Sequence, residues 1–544
     1  MPLAPLFGVS QKGKSFTATA QKHTGLYAEI VPDRDKSSLV FYNTPGLTLD
    51  YSYGDTPVRG SIATDDLKYE VHRGTLWSVN NAGIRTALGA LATTTGKVRM
   101  SFNGRQIVIA DGTRAYSYTI NQTAQPIATI TNAVTVATLT TTLAHGRSTG
   151  DTVIVSGATP AAYNGTFVIT VTGANTFNYT MLSNPGGNAT VVGSYTVSSS
   201  FSVITSGLFQ NPIDVTYADQ YSIFAFDNGR WQISSPNDAT TVDALDFANA
   251  ESNPDGLLRV IADHGEVVLL GPQTVEFWGN TGAQDFPYAN QRGATLEFGL
   301  VAPSSLVKYN DSLAGLFKST MGQSQVMMMK GHALAPISTP ELDYIINGYA
   351  TIADASALSY MVGGHPFYQI NFPSAGKAWL FDSQSNLWSP IESGLTGGRS
   401  RAEIRTDYLN KTRVTDFENG NVYTLSPDVY TDNGSPIPRE IISRHFFSDA
   451  KRVRVDVLQI EFESGVGLIT GQGQDPQVMM QISKDGGHTY GNDIWVSAGK
   501  IGEYKYRVIW RRLGVGRDWV FKFRVTDPIK IVITNAYMDY SVLK

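Results

Sequence analysis

Short runs of alternating hydrophobic and polar residues recur along the chain from about residue 100 onward. They are rich in β-branched and aromatic residues, and turns containing Gly, Asn or Asp separate them in pairs, which is the pattern of β-hairpins. The pairs recur on average about every 40–50 residues, the length of one propeller blade. We therefore predict an all-β chain with a β-propeller body of about six blades. The six hairpins are NGRQIVIADGTRAYSYTI (103–120), YSIFAFDNGRWQIS (221–234), GEVVLLGPQTVEFWG (265–279), SLAGLFKSTMGQSQVMMMKG (312–331), FYQINFPSAGKAWLFDSQSNLWSP (367–390) and RVTDFENGNVYTL (413–425).

One interval between hairpins, residues 126–197, is much longer than the others. Thr and Val dominate it, charged residues are nearly absent, and Asn164-Gly165 supplies a hairpin turn of its own. Exposed loops tolerate insertions, so we expect a small β module inserted into the first of these six blades. The interval resembles the short phage β modules named after a half-domain of ubiquitin-activating enzymes, a resemblance that implies no ubiquitin chemistry.

The pattern changes to longer alternating strands after the turn-rich segment 427–440. Tyr506, Val508 and Trp510 alternate with basic residues, as do the aromatic residues at 519, 521 and 523, which predicts a β-sandwich-like domain. One short helix is predicted, with Thr339 as N-cap, Pro340 at its first position and an end near Asn347. The predicted domains are an N-terminal arm and start of the propeller (1–99), the propeller body (100–125 and 198–438), the inserted β module (126–197) and the sandwich-like domain (439–544).

Composition narrows the function classes. Charged residues make up 16% of the chain and the formal net charge is −5, which argues against a surface built as a whole to grip nucleic acid. The chain has no cysteine, so disulfides, cysteine-based zinc sites and thiol nucleophiles are excluded. No window approaches a transmembrane span, and the N-terminus lacks the order of charged and apolar regions of a signal peptide.

Two motifs have chemical interpretations that the context does not favour. GVSQKGKS (8–15) fits the P-loop pattern, but neither a buried strand before it nor a helix after it is predicted, so we expect an extended arm and no ATPase site. The basic segment 502–524 interleaves arginines with aromatics, which is compatible with a nucleic-acid strip or a protein interface. Strict alternation favours the solvated face of two strands whose aromatics fill a core.

The stretch SKDGGHTYG (483–491) matches an Asp-box, a turn found in sialidases and in many other β proteins. Its characteristic residues are Ser483, Asp485, Gly487, Thr489 and Tyr490, and we expect a structural turn because side-chain bonds to the turn backbone explain every one of them. A sialidase would also bring three arginines together around a substrate carboxylate, with Arg259, Arg292 and Arg405 among the available ones. The eight histidines lack metal-ligand spacing. We expect no catalytic residues, cofactor or metal.

Several long segments resemble the packaged-DNA stabilisation proteins of short-tailed phages, also called tail nozzle or tail hub proteins. They are GVSQKGKSFTATAQKHTGLYAEIVP (8–32), VEFWGNTGAQDFPYANQRGATLEFGLVAPSSL (275–306), MGQSQV (321–326), PISTPELDYIINGY (336–349), SKDGGHTYG (483–491) and GEYKYRVIWRRLGVGRDWVFKFRVTDP (502–528). The resemblance covers most of the chain outside 126–197, and the family is not known to contain enzymes.

This resemblance implies a structural protein of the virion tail, made in the host cytoplasm. Its expected partners are itself, as a homohexameric ring, the portal–adaptor complex, a tail needle or plug, and tail fibres or spikes. The ring would extend the DNA channel, touch double-stranded DNA only transiently and non-specifically, retain the packaged DNA and help its ejection. Two alternatives stay open: a sialidase-like propeller that binds or cleaves host-surface glycans, and an outer virion decoration.

Overall fold

The computed structural model describes the chain except for residues 9–14, 16–18, 32–38, 121–123, 198–199, 207–208, 210, 251–255, 285, 292, 320–321, 395–396, 450 and 544. Strands dominate these described residues, and they include a single α-helix, Pro340–Ile346. That helix begins as predicted, because Thr339 Oγ1 accepts a hydrogen bond from the Leu342 amide at 3.3 Å. The all-β fold class is confirmed. The P-loop-like residues 9–14 lie outside the described part.

Seven antiparallel sheets form a ring in which the inner strands of neighbouring blades lie side by side, including those of the seventh and the first. We number the sheets as blades and give the inner strand first. Blade 1 contains Val58–Ala63, Lys68–His72, Thr75–Val79 and Arg85–Ala90; blade 2, Arg99–Phe102, Gln106–Ala110, Ala115–Thr119 and Ser200–Ile204; blade 3, Pro212–Ala218, Tyr221–Phe226, Arg230–Ile233 and Phe247–Asn249; blade 4, Arg259–Asp263, Glu266–Leu270, Val275–Asn280 and Tyr288–Asn290. Blade 5 contains Phe298–Leu300 and Val307–Tyr309, separated by the 3₁₀ turn Pro303–Ser305, then Ser312–Ser319, Ser324–Met329 and Leu334–Pro336; blade 6, Ser356–Val362, His365–Phe372, Lys377–Asp382 and Leu387–Ile391; blade 7, Ala402–Tyr408, Lys411–Asp416, Asn421–Ser426 and Gly46–Ser52, with the short strands Thr431–Asp432 and Ser435–Pro436 beside it.

In the described part of the chain the propeller therefore has seven blades, where the sequence predicted about six. The six predicted hairpins fall in blades 2 to 7, and the additional sheet is blade 1, inside the region 1–99. Its central hairpin turns at Arg73-Gly74, with Arg73 at φ +50°, a left-handed conformation that arginine seldom adopts. Because this turn lacks the usual Asn-Gly or Asp-Gly letters, the blade gives a weak hairpin signal in the sequence.

The ring is closed by a strand from the start of the chain. Gly46–Ser52 pairs antiparallel with Asn421–Ser426, so blade 7 combines residues from both ends of the propeller sequence. Buried polar contacts reinforce blade 7 and tie it to blade 1. The fully buried Arg413 donates to Asp50 Oδ2 of its own blade at 2.5 Å and to Asn81 Oδ1, in a loop of blade 1, at 2.9 Å. Glu70 of blade 1 pairs with Lys68 of its own strand at 2.8 Å and accepts from the Tyr51 hydroxyl of blade 7 at 3.1 Å.

The sandwich is built from both ends of the chain, which corrects the assignment of the first residues to an N-terminal arm. One sheet has the order Leu26–Ile30, Leu39–Asn43, Val532–Leu543, Arg452–Phe462 and Val508–Gly516, with Leu3–Ala4 also paired to Val532–Leu543. The other has the order Lys22–Thr24, Arg439–Ile442, Asp518–Val525, Gln477–Ser483 and Ile494–Ser497, with Phe446–Phe447 also paired to Asp518–Val525. Short N-terminal strands such as KHT carry too few positions to show a period of two.

The alternation in 502–524 separates a core from basic outer positions, as the favoured interpretation predicted. Trp510, Trp519, Phe521 and Phe523 are buried in one core between the two sheets, whereas Tyr506 is 42% exposed because it precedes the strand. The outer basic residues divide between the two sheets. Arg524 pairs with Glu440 at 2.8 Å, and Arg507 Nε donates to Gln459 Oε1 at 3.0 Å. The segment therefore does not form one continuous basic strip.

The long interval forms a closed six-stranded barrel between the third and outer strands of blade 2. Its strands are Gln125–Ala133, Val136–Thr141, Thr152–Ser156, Gly165–Gly173, Thr176–Thr180 and Ser194–Val197, with a 3₁₀ turn at Ala161–Tyr163. The host is the second blade, not the first as expected, because blade 1 was missing from the predicted series. The barrel has its own core, which includes Phe167, Phe177 and Tyr179. Arg105 of blade 2 pairs with Asp151 at 2.6 Å and anchors it.

Phe41 provides a test of the N-terminal contribution to the sandwich. Its side chain is 1% exposed and packs edge-on against Phe7 and near His23. We expect Phe41→Ala to lower the free energy of unfolding by about 3–5 kcal/mol, because it leaves a cavity in the sandwich core. Denaturant unfolding followed by tryptophan fluorescence measures this. Phe447→Ala, at a 63% exposed position of the same domain, is the control and should change stability by less than about 0.5 kcal/mol. Equal losses in the two variants would contradict the assignment.

Candidate functional site

The Asp-box residues form one compact turn after the strand Gln477–Ser483. The buried Ser483 hydroxyl accepts from the Gly487 amide at 2.8 Å and donates to Asp485 Oδ1 at 2.6 Å. Asp485 in turn accepts from the amides of His488 and Thr489 at 3.1 and 3.0 Å, and from the Thr489 hydroxyl at 2.6 Å. Gly487 has φ +88°, a conformation that favours glycine. Both oxygens of the exposed Asp485 are therefore occupied by the turn itself.

The pKa of the Asp485 carboxyl group is consistent with its being a charged hydrogen-bond acceptor within the turn. Hydrogen bonds from Ser483 and Thr489 hold the pKa of Asp485 far below its usual range. A general acid needs a pKa near the working pH, which this arrangement opposes. Tyr490 lies half-buried beside the turn, burial raises its pKa to about 12, and Lys522 Nζ sits 4.4 Å from its ring centroid. The geometry is that of a structural turn.

The turn faces the junction between sandwich and propeller. Tyr490 and Gly487 help line an apolar cavity of about 450 Å³ together with Tyr349 and Trp379 of the propeller and Ile442 of the sandwich.

Direct contacts to blade 6 hold the junction together. His23 Nε2 lies 2.7 Å from Ser389 Oγ, and the Gly25 amide donates to the Pro390 carbonyl at 3.2 Å. Burial lowers the pKa of His23 to about 4, so this contact is made by a neutral imidazole at physiological pH. The two domains meet through short polar bonds beside an apolar cavity.

A second cavity, of about 380 Å³, lies at the centre of the propeller and is lined by residues from all seven blades. Its lining carries more basic than acidic side chains. The basic residues are Arg59, Lys97, Arg99, Arg259, Lys308 and Arg405, and the acidic ones are Asp214 and Glu403. On a chain whose formal net charge is −5, this cavity concentrates positive charge.

Ion pairs tie some of these basic residues to neighbouring blades. Arg259 Nε donates to Asp214 Oδ2 at 2.5 Å, and its Nη1 donates to the Pro303 carbonyl at 2.7 Å, so blades 3, 4 and 5 are joined. Lys97 and Arg399 both contact Glu403, at 2.5 and 2.8 Å. Burial raises the pKa of Glu403, but the attraction of these two cations outweighs it and lowers the pKa overall. These contacts stabilise the inner ring of strands.

Arg59 and Arg99 differ from these paired residues, because neither forms an ion pair in the described part of the chain. Arg59 donates to the carbonyls of residues 73, 93, 95 and 96 and so fixes the loop that leads into blade 2. The Arg99 side chain makes one hydrogen bond to the described residues, from Nη2 to Ser304 Oγ at 3.1 Å. Burial, followed by repulsion from Arg259, lowers the pKa of Arg99 to about 9.

The arginines considered for a sialidase-type site are only partly brought together. Arg259 and Arg405 both line the central cavity, and residue 292 lies outside the described residues. Arg259 is bound by Asp214, and Arg405 is bound by Asp407 within its own strand, so both are already engaged.

Sequence reasoning missed Arg99, Lys97 and Glu403. Their common signal is position, since each lies within two residues of the start of an inner strand.

The described residues contain neither a metal-binding cluster nor a membrane-spanning helix. No group of three or more His, Asp or Glu side chains is arranged to hold a metal ion there. No helix among them is long and apolar enough to cross a bilayer.

Two family models match the chain, one over most of its length. Residues 26–430 match the β-propeller of bacteriophage P22 Gp10, and residues 438–541 match the β-sandwich of the same protein. The tail hub protein gp10 of Salmonella phage P22 is 22% identical over 298 residues, which cover 53% of this chain and 61% of the relative's length.

Solved propeller structures are more distant. A phage phi92 endosialidase is 12% identical with a TM-score of 0.37, over 72% of this chain and 71% of that one. The Neurospora crassa Pan2 WD40 domain is 10% identical with a TM-score of 0.35, over 71% of this chain and 95% of that one. At these scores neither likeness carries an argument about function.

Asp485 gives a pH-dependent prediction. A carboxylate whose pKa is lowered by folding stabilises the protein above its unfolded pKa of about 3.9, and this contribution is lost as the pH falls through the folded value. We expect Asp485→Asn to destabilise the sandwich by about 1 kcal/mol near pH 7, because charge-assisted bonds are lost, and by progressively less below about pH 4. Thermal or denaturant unfolding at pH 7 and pH 3 measures the difference.

Asp493→Asn is the matched control, since it removes the same charge from an exposed position a few residues further on. A stability loss in Asp485→Asn that is unchanged between pH 7 and pH 3 would contradict the role of the charged carboxylate.

Proposed function

The chain belongs to the family of bacteriophage P22 Gp10 proteins, which join a β-propeller to a β-sandwich, and from this membership we propose that it is a structural subunit of the tail hub of a short-tailed phage. The observation that carries the proposal is the match of both domains, in the same order, to one tail protein. In this role the protein resides in the virion tail and assembles with other tail components.

We further propose that the subunits form a homohexameric ring below the portal–adaptor complex and extend the DNA channel. A ring needs rigid subunits with heterologous contacts that close after a fixed rotation. The interwoven termini and the bonded junction at blade 6 support such rigidity, because both domains share the N-terminal segment of the chain.

An exposed apolar edge of the sandwich is the surface that best fits a contact with a second subunit. The strand Ile494–Ser497 is the last strand of its sheet, and Trp495 on it is 57% exposed. The loop that follows adds Ile501 at 54% and Tyr504 at 76% exposure. Unpaired sheet edges invite pairing, and exposed aromatics are enriched at protein interfaces. We propose that this edge is covered by a neighbouring subunit in the ring.

The proposed mechanism is mechanical. The ring continues the conduit, and its lower rim seats a needle or plug, so that packaged DNA is retained until ejection. A chain with a net charge of −5 suits a channel that must release DNA, because every neutralised phosphate adds salt-dependent grip. Contacts with double-stranded DNA are transient and non-specific in this scheme, and tail fibres or spikes attach outside. No catalytic step is required.

Substitution of Trp495 tests the subunit contact. We expect Trp495→Asp to weaken ring assembly by about tenfold or more in dissociation constant, because a charge would replace an aromatic anchor of the interface. Mass photometry of the chain, alone and with the cognate portal–adaptor complex, measures the copy number. Leu182→Asp, at a fully exposed position on the inserted barrel, is the control and should leave assembly unchanged. A Trp495→Asp variant that still forms six-membered rings would exclude this edge.

Particles assembled without the protein test the hub role itself. We expect them to package DNA and then lose it, because the conduit lacks the rim on which the plug seats. The measurement is the fraction of DNA-filled heads by electron microscopy, compared with particles complemented by the wild-type chain. Particles that keep their DNA without the protein would favour an outer decoration instead.

A further inference from the structure

The central cavity of the propeller contains an arginine that the fold does not neutralise. Arg99 points its guanidinium into the cavity, where its hydrogen bond to Ser304 Oγ is made by Nη2 alone. Among the described residues no carboxylate lies within ion-pair distance of Arg99, and the nearby Asp214 is bound by Arg259. A guanidinium offers five N–H donors, so most of those of Arg99 have no partner among the described residues.

Other positive charges surround this arginine. Arg259 is close enough to repel it, and Lys308 is a further exposed cation of the same cavity. Lys97 shares the carboxylate of Glu403 with Arg399, so that two cations compete for one anion. In a cavity with such an excess of positive charge the cations repel one another, and a bound anion would relieve this repulsion.

We propose that the central cavity is a binding site for a phosphate-type oxyanion, with the Arg99 guanidinium and the Ser304 hydroxyl as its principal ligands. The chemical class of the anion follows from the hydrogen-bond donors that line the cavity. Arginine binds phosphate oxygens through two parallel N–H bonds, and several cations around one point suit a divalent tetrahedral anion better than a monovalent carboxylate. The volume of about 380 Å³ admits inorganic phosphate with water, or a small phosphorylated molecule. This site does not depend on the tail-hub role.

The alternative is that Arg99 serves only to tie blade 2 to blade 5 through Ser304. The two interpretations differ in what happens when the charge is removed. A purely structural bond would be lost at a cost in stability in every buffer. An anion site would instead lose its response to phosphate, while removal of the repulsion from Arg259 would leave the protein in chloride at least as stable as before.

Isothermal titration calorimetry and thermal unfolding of the full chain test the proposal, with inorganic phosphate, sulfate and acetate at matched ionic strength. We expect phosphate to bind and to raise the melting temperature more than acetate does. Arg99→Met should weaken phosphate binding by about ten- to a hundredfold, the amount expected for loss of charge-assisted bonds. Ser304→Ala should weaken it less, because only one neutral donor is lost.

Arg114→Met is the matched control, since Arg114 is an exposed arginine of the same blade that does not line the cavity. It should bind phosphate like the wild type. Arg99→Lys keeps the charge without the paired donors, so its weakened binding gives a second readout if the methionine variant folds poorly. Three outcomes would overturn the proposal: no phosphate response beyond chloride, acetate binding as tight as phosphate, or unchanged binding in both Arg99 variants.

Discussion

The pairing of Gly46–Ser52 with Asn421–Ser426 is the constraint on which the rest of the structure depends. Without this strand, blade 7 has an open edge, and Arg413, which also reaches Asn81 of blade 1, loses its partner Asp50. The residues just before it enter the sandwich, so the same segment that closes the propeller also completes the second domain. Ring closure and completion of the sandwich thus depend on one continuous segment, which pairs with residues far away in sequence at a large cost in chain entropy.

The sequence was most informative where local chemistry decides structure. Hairpins in blades 2 to 7 could be predicted because Asn-Gly, Asp-Asn-Gly and similar turns force the chain to reverse, and the helix because Thr339 and Pro340 form a recognisable start. Blade 1 was not predicted, because its hairpin turn places Arg73 in a left-handed conformation that an arginine in the sequence does not indicate. The pairing of the N-terminal strands was not predicted either, because their partners lie at the other end of the chain and such distant pairing produces no local sequence pattern.

Of the candidate functional residues, likewise, the Asp-box turn could be predicted from the sequence and the central cavity could not. The side-chain hydrogen bonds described for the Asp-box turn lie within residues 483–489, so their geometry follows from the spacing of the motif. The central cavity is assembled from seven blades, each of which contributes a few residues at its inner strand. Arg99, Arg259 and Lys308 come together only because the ring closes, so no short segment of the sequence predicts that they are neighbours. Arg259 and Arg405 could be named from the sequence, but the sequence does not show that Arg59 and Arg99 are the cavity arginines without a carboxylate partner among the described residues.

The barrel inserted in blade 2 has a consequence for how this architecture can change. Its first and last strands pair with each other, with Gln125 opposite Tyr195, so the chain leaves the blade and returns to it at nearly the same place. The outer strand of blade 2 keeps its register, Thr119 opposite Ser200, as if only a short loop intervened. A module joined in this way is an exchangeable cassette. Its outer surface can diversify, or the whole unit can be replaced, while the propeller and the sandwich retain every strand pairing that the assembly requires.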